Sequence, residues 1–98
     1  MKTLDEIRDI LSHHKSLLRE RFKVKRLAVF GSYARGEATP RSDVDILVEF
    51  ECPIGWEIVD LHDYLEAILG IRVDLTTPNA LKRKPWLWES VQEDLIRV

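Results

Sequence analysis

The sequence has little of several features that define whole classes of protein. It contains a single cysteine, Cys52, so no disulfide can form within the chain. No apolar run approaches the roughly 20 residues that a membrane-spanning helix needs. The first residues turn acidic at once and show no signal-peptide core. These absences argue against a disulfide-stapled scaffold or a membrane protein, and they predict a cytoplasmic location.

Charge of neither sign dominates. Fifteen lysines and arginines face 17 aspartates and glutamates, which gives a formal net charge of -2 at pH 7. A chain this close to neutral is not expected to bind nucleic acid tightly and without regard to sequence. Basic residues are concentrated at 15–26 and 82–84, and acidic residues at 43–51. Charge runs of this kind usually form solvated faces.

The apolar pattern predicts one domain, residues 1–98, of the α/β or α+β class. Helical spacing of apolar residues alternates along the chain with short apolar or alternating runs that are typical of strands. Thr3 and Glu6 have the spacing of a capping box at the first helix. Together the segments predict one small sheet packed against helices. In chain order they are a helix at about 4–22, strands at 27–30 and 43–50, a helix from 58 to a cap glycine at 70, a strand at 71–76 and a helix at about 87–95.

Two carboxylates share one face of the second predicted strand. Asp43 and Asp45 are two residues apart, so their side chains point the same way, about 7 Å apart along the chain. Carboxylates that converge on a shared site either take up a proton or bind a cation. Mg²⁺ favours oxygen ligands, usually one or two carboxylates with phosphates and waters. The pair therefore predicts a site for a divalent metal ion.

Asp74 is the expected third carboxylate. It lies in the third predicted strand, on the face opposite the apolar residues of that strand. If the two strands are neighbours with their apolar faces on the same side, Asp74 joins Asp43 and Asp45 on one sheet face. Three carboxylates can hold two metal ions, one gripping a triphosphate and one activating the attacking hydroxyl.

A glycine–serine pair after the first predicted strand supplies an expected phosphate contact. Gly31 lets the backbone come close to a phosphate, and the Ser32 hydroxyl and the following amides can donate to its oxygens. Arg35 lies one turn further and could reach a phosphate or cap the loop carboxylates. Each motif alone is common by chance. The two in this order are much more specific.

The combination resembles the minimal nucleotidyltransferase family, within the DNA polymerase β-like nucleotidyltransferase superfamily. The matching segments are 31–36, 42–48 and 73–75, and the similarity extends over nearly the whole chain. The resemblance implies a small mixed β-sheet flanked by helices. It also implies that a nucleoside monophosphate is transferred from a triphosphate while pyrophosphate leaves.

The resemblance further implies a role for each site residue. Asp43, Asp45 and Asp74 would hold two Mg²⁺ ions, with Asp74 at the incoming hydroxyl and helping to deprotonate it. Gly31 and Ser32 would contact the β- and γ-phosphates.

Small members of this family are often paired with a HEPN-domain ribonuclease and act as antitoxins, transferring AMP from ATP onto a tyrosine of the toxin. The resemblance thus implies ATP as the substrate and a HEPN-domain toxin as the partner. Two alternatives remain open: a non-catalytic nucleotide-binding module that neutralises its partner by contact, and nucleotidyl transfer to RNA or a small molecule. Any of these is compatible with a homo- or hetero-oligomer.

Other conspicuous residues have structural interpretations. His14 is expected on the helix surface or partly packed, and His62 facing solvent from the second long helix. Trp86 and Trp88 cannot both face inward on a regular helix, because residues two apart diverge by about 200°. One of the two is therefore expected to be exposed, where it could serve a protein interface.

Overall fold

Four strands and six helices make up the computed structural model, which describes residues 1–98. None of the helices combines the length and the apolar character that crossing a bilayer requires. The elements in chain order are α1 Leu4–His13, α2 Lys15–Phe22, β1 Val24–Phe30, α3 Ser32–Arg35, β2 Val44–Phe50, α4 Glu57–Leu69, β3 Val73–Thr76, α5 Pro78–Lys82, α6 Pro85–Asp94 and β4 Ile96–Arg97.

The strands form one mixed sheet in the order β3-β2-β1-β4. Strand β1 pairs antiparallel with both β2 and β4, whereas β2 and β3 are parallel. Parallel neighbours need a crossover connection, and α4 supplies it between β2 and β3. The prediction of a small mixed sheet flanked by helices is confirmed.

The main core lies on one face of the sheet. Alternation along β2 points Val44, Ile46 and Val48 to this face, and all three are fully buried. Apolar stripes at helical spacing on α1, α2 and α4 pack against them. The fully buried large helical residues are Ile7, Leu11, Leu18, Leu61, Leu65 and Leu69.

The opposite face of the sheet, which we call the aspartate face, is only partly covered. It carries Asp45, Leu47 and Glu49 of β2. A smaller apolar cluster forms here where Ala28 and Leu47 meet Leu81 of α5 and Val91 of α6, so these two helices cover the middle of the face.

The first long helix is interrupted. The capping box of Thr3 and Glu6 is present, as predicted. However, the prediction of one helix over 4–22 is wrong at His14, which separates α1 from α2 with φ -99° and ψ 4°. There the His14 Nδ1 lies 2.6 Å from the Tyr64 hydroxyl of α4. Apolar residues keep helical spacing across the break, so the sequence pattern could not reveal it.

The C-terminal third holds two elements that the apolar pattern did not predict. Helix α5 spans five residues and is capped by Thr77, whose side chain accepts from the Ala80 amide. Strand β4 spans two residues at the sheet edge. Both are too short for a periodic signal. Trp86 is 70% exposed, whereas Trp88 packs against the smaller cluster, which confirms that only one of the pair faces inward.

Candidate active site

Three consecutive strands bring the predicted site residues to one end of the aspartate face. In the antiparallel pair, Phe30 at the end of β1 lies opposite Asp45, so Gly31 follows directly beside that carboxylate. In the parallel pair, Asp45 lies opposite Asp74. The expectation that the second and third predicted strands are neighbours, with Asp45 and Asp74 on one face, is confirmed.

Gly31 lies in close contact with Asp45. Its backbone has φ 74° and ψ -150°, a conformation that L side chains rarely adopt. A Cβ placed at this position would overlap the Asp45 Oδ2 and lie 3.1 Å from the Asp45 Cγ. Glycine is therefore required here both by the backbone angles and by the adjacent carboxylate.

Ser32 opens a helical turn. Helix α3 runs for four residues, Ser32–Arg35, and ends at Gly36, which has φ 73°. The Glu37 amide donates to the Ser32 carbonyl at 2.9 Å and closes the turn. The Ser32 side chain is partly exposed next to Gly31. Its phosphate-binding role stays a prediction.

Asp45 and Asp74 interact directly. Burial of Asp45, followed by the charge of Asp74 and a side-chain hydrogen bond with it, raises the pKa of Asp45 to about 6 from an ordinary 3.8. The charge of Asp43 raises this pKa further, while the charge of Arg35 lowers it. At neutral pH the site therefore holds crowded negative charge that the protein alone does not neutralise.

Asp43 takes a different position from the other two aspartates. It lies one residue before β2, and its Oδ1 forms an ion pair with the Arg72 Nε at 3.0 Å. The ligand atoms of the three aspartates do not gather within 4.8 Å of one another. The charge of Asp43 nevertheless acts on Asp45. The structure thus pairs Asp45 with Asp74 and leaves Asp43 at the rim, held by an arginine.

The donor set suits a divalent cation. The available groups at this end of the sheet are carboxylate oxygens, which hard cations such as Mg²⁺ prefer. A cation bound between them would offset the repulsion that raises the Asp45 pKa. The residues present therefore fit a magnesium site, although metal binding by these three aspartates stays a prediction.

Arg35 joins α3 to α6. Its Nε donates to the Glu37 Oε2 at 3.0 Å, and its Nη1 donates to the Asp94 Oδ2 at 2.6 Å. These two hydrogen bonds raise the pKa of the Arg35 guanidinium above its ordinary value. The guanidinium is thus already engaged by two carboxylates, and its expected contact with a nucleotide stays a prediction.

His62, Asp63 and Glu66 form a second cluster, whose potential metal-ligand atoms lie within 4.8 Å of one another. Two of these residues, His62 and Glu66, instead form hydrogen bonds with the backbone of β3. The His62 Nε2 lies 2.9 Å from the Val73 carbonyl, and the Val73 amide donates to the Glu66 Oε2 at 2.9 Å. Burial alone would lower the pKa of His62, but hydrogen bonds with Asp63 and the Val73 carbonyl raise it. The His62 side chain is 36% exposed, so it faces solvent only in part, and its ring also links α4 to the strand that carries Asp74.

Sequence reasoning missed Arg72, Asp94, His62 and Glu66 as residues that organise the site. The spacing of His62 and Glu66, four apart on one helix face, was a detectable signal. The other two act through contacts between distant elements, which leave no local pattern.

Comparison with known proteins gives the same assignment along almost the entire chain. The profile of the nucleotidyltransferase domain family matches residues 11–98. A Methanocaldococcus jannaschii protein, MJ0128, named as a candidate protein adenylyltransferase, is 54% identical over 99 residues, covering 100% of each chain. The Thermococcus cleftensis protein adenylyltransferase MntA is 57% identical over 83 residues, covering 84% of each chain.

Solved structures agree with this grouping. The structure of a candidate minimal nucleotidyltransferase has a TM-score of 0.81 and 37% identity, covering 99% of this chain and 97% of that chain. A crystal structure of a toxin–antitoxin with AMP-PNP has a TM-score of 0.68 and 26% identity, covering 88% of this chain and 69% of that chain. Because the family profile and the relatives span nearly all of its length, the chain belongs to the nucleotidyltransferase domain family and is an enzyme of that class.

Proposed function

We propose that this protein uses Mg²⁺ and ATP to transfer AMP onto a tyrosine of a HEPN-domain toxin, and so acts as the antitoxin of a pair. The observation that carries the proposal is the alignment of Asp45 with Asp74 beside Gly31. Support comes from a relative named protein adenylyltransferase MntA and from the toxin–antitoxin structure with AMP-PNP, an analogue of ATP.

Asp43, Asp45 and Asp74 are the residues that would hold the metal. When bound, Mg²⁺ supplies charge neutralisation of the triphosphate and favours ionisation of the acceptor hydroxyl. Asp45 is the most buried of the three carboxylates and is fixed between Gly31 and Asp74. Asp43 and Asp74 are exposed and remain accessible to nucleotide and acceptor.

The protein's own groups orient the triphosphate and receive a proton. In the proposed reaction, the Ser32 hydroxyl and the amides after Gly31 donate to the β- and γ-phosphates. Asp74 accepts the proton of the acceptor hydroxyl. The acceptor oxygen then bonds to the α-phosphorus, the bond from that phosphorus to the β-bridging oxygen breaks, and pyrophosphate leaves.

A protein acceptor agrees with the open shape of the site. Asp74 lies on β3, an edge strand, and is exposed. Helices α5 and α6 pack over the middle of the aspartate face, where Ala28 and Leu47 lie, and not over Asp74. A tyrosine that projects from a partner surface could therefore approach Asp74 from solvent without any opening of this chain.

The proposed function is tested by mixing the protein with labelled ATP, Mg²⁺ and the product of the neighbouring gene, which the proposal expects to be the toxin. Label is expected on the toxin with the unchanged protein and not with the double variant Asp43→Ala, Asp45→Ala. Neutralisation of the toxin that survives the double change without labelling would support the contact module instead. Label on RNA in place of the toxin would support the other alternative, nucleotidyl transfer to RNA or a small molecule.

A separate test addresses Asp74 alone. We expect Asp74→Asn to lower transfer at least about a hundredfold, because the amide can neither ligate a metal as a carboxylate does nor accept the acceptor's proton. Initial rates of toxin labelling measure this effect. Asp60→Asn on the outer surface of α4, an exposed aspartate remote from the site, is the matched control. Near-normal transfer by Asp74→Asn would remove Asp74 from the assignment.

A further inference from the structure

Arg72 lies at the rim of the site, paired with the one aspartate that does not join the others. Its Nε forms an ion pair with the Asp43 Oδ1 at 3.0 Å, and its Nη2 donates a hydrogen bond to the Arg41 carbonyl at 3.0 Å. Its side chain is nevertheless 72% exposed. The guanidinium has five N–H donors, of which the hydrogen bond to Arg41 uses one, so others remain available to a ligand.

Sheet register fixes this placement. The Val44 amide donates to the Arg72 carbonyl at 2.9 Å, and the parallel pairing of Val44 with Val73 begins one residue later. Arg72 is therefore the neighbour of Asp43 across the strands. Because side chains alternate along a strand, Arg72 also shares the face of Asp74. The arginine belongs to the same constellation as the three aspartates.

The surroundings of Arg72 suit an anion. It lines an open cleft of about 550 Å³ together with Lys2, Ser42 and Tyr33. Positive charge in this cleft comes from Lys2, Arg72 and the N-terminal amino group of Met1, and Glu6 is its one acidic residue. Ser42 and Tyr33 are the sequence neighbours of Asp43 and Ser32, so the cleft adjoins the expected metal and phosphate positions but is not lined by the aspartates themselves.

The ion pair between Arg72 and Asp43 is well suited to exchange partners. Exposed ion pairs contribute little to stability, so releasing this one costs little. A metal ion that takes Asp43 as a ligand would leave the guanidinium without its carboxylate and beside a second positive charge. A bound triphosphate would pair with the guanidinium and offset the positive charge of the metal. Guanidinium N–H groups match phosphate oxygens in a charge-assisted, bidentate geometry.

We propose that Arg72 is a switching counter-charge of the site: it holds Asp43 when no metal is present and binds the triphosphate once the metal has taken Asp43. This inference rests on the proposed metal-dependent and triphosphate-dependent function. It adds to that function a residue with two opposed effects, weakening the binding of metal alone and strengthening the binding of nucleotide.

The test compares Arg72→Gln, Arg72→Lys and the unchanged protein by titration calorimetry, first with Mn²⁺ alone and then with AMP-PNP at saturating Mn²⁺. Arg72→Gln is expected to bind Mn²⁺ about three- to tenfold more tightly, since a nearby like charge is gone. The same variant is expected to bind AMP-PNP about tenfold more weakly. Arg72→Lys keeps the charge but loses the planar fork, so its Mn²⁺ affinity should stay within about twofold while AMP-PNP binding weakens.

Arg83→Gln is the control for net charge. Arg83 is exposed at the end of α5, and its substitution should leave both affinities within about twofold. A merely structural role for Arg72 would weaken both ligands together and lower the melting temperature. If Arg72→Gln left the affinity for Mn²⁺ or for AMP-PNP unchanged, the proposed role of Arg72 would be overturned while the proposed function would stand. Failure of the unchanged protein to bind Mn²⁺ would overturn the proposed function and this inference together.

Discussion

Replacing Asp45 with asparagine is expected to abolish nucleotidyl transfer and, at the same time, to stabilise the metal-free protein. Transfer should fall at least about a thousandfold, because the most buried carboxylate of the site would no longer bind metal. Stability should rise, because burial and the charge of Asp74 oppose ionisation of Asp45 and raise its pKa to about 6. The asparagine amide has a similar shape but no charge, so burial and the charge of Asp74 no longer act against this side chain.

The sign of the stability effect depends on pH. The folded-state pKa of about 6 lies above the ordinary value of 3.8, so the folded protein holds a proton between these values that the unfolded chain has released. The stability that this proton contributes is fully present below about pH 4, and it is lost as pH rises through about 6. The advantage of Asp45→Asn should therefore be absent near pH 4 and complete near pH 8.

Screening by solvent limits the gain in stability that Asp45→Asn can give. Because Asp45 is only partly buried, we expect a gain of about 1 kcal/mol at pH 8 rather than the full value of the pKa shift. For a domain of this size the gain corresponds to a rise in Tm of roughly 4–8 °C. Thermal unfolding in a chelator, followed by the same measurement in Mg²⁺, measures it.

Comparing the Tm in chelator with the Tm in Mg²⁺ distinguishes a metal ligand from an ordinary buried carboxylate. Mg²⁺ should raise the Tm of the unchanged protein and leave that of Asp45→Asn where it was. Asp60→Asn, the control used for Asp74, should show the same rise in Tm with Mg²⁺ as the unchanged protein, with at most a small constant offset from the loss of an acidic group in the first turn of α4. Equal Tm values for Asp45→Asn and the unchanged protein from pH 4 to 8 would show that Asp45 titrates normally. Retained transfer would show that it is not a ligand.

Replacing Gly31 with alanine is expected to be the most destabilising single change at the site. The new Cβ would overlap the Asp45 carboxylate, and the backbone angles of Gly31 are strained for any L side chain. The combined cost should be about 3–5 kcal/mol, which lowers the Tm by roughly 15–25 °C. Any folded fraction should also lack transfer activity, since Asp45 must move to make room.

Gly36 offers a partial control for this substitution. It has nearly the same φ, 73° against 74°, but its ψ of 22° places it in the left-handed helical region, whereas the ψ of Gly31 is -150°. A Cβ at Gly36 would also have no heavy atom within 4 Å. Gly36→Ala should therefore cost only the left-handed strain, about 1–2 kcal/mol. Denaturant titration of the two variants measures the cost at Gly31 beyond ordinary left-handed strain, which is the overlap with Asp45 together with the strain of its ψ. Equal losses of stability would mean that the carboxylate moves aside freely and that the ψ of Gly31 adds no strain.

The sequence predicted those features of the site that depend on local backbone geometry. Alternation in the second strand was enough to set Asp43 and Asp45 apart from the apolar residues, and the glycine–serine turn after the first strand pointed to the same end of the sheet. Asp74 needed one further assumption, that the strands were neighbours, which the pairing of Asp45 with Asp74 confirms. The rim contact between Arg72 and Asp43 was not predictable, because it depends on the register of that pairing.

Local periodicity determined the longer secondary elements and the two-faced second strand, since backbone geometry alone fixes which neighbouring residues share a face. Tertiary structure decided the break at His14, the attachment of His62 to β3, the engagement of Arg35 by Asp94 and the separation of Asp43 from the other aspartates. Each of these is a contact between residues distant in sequence. Such contacts arise only when strand order and helix docking are set, and no periodicity records them.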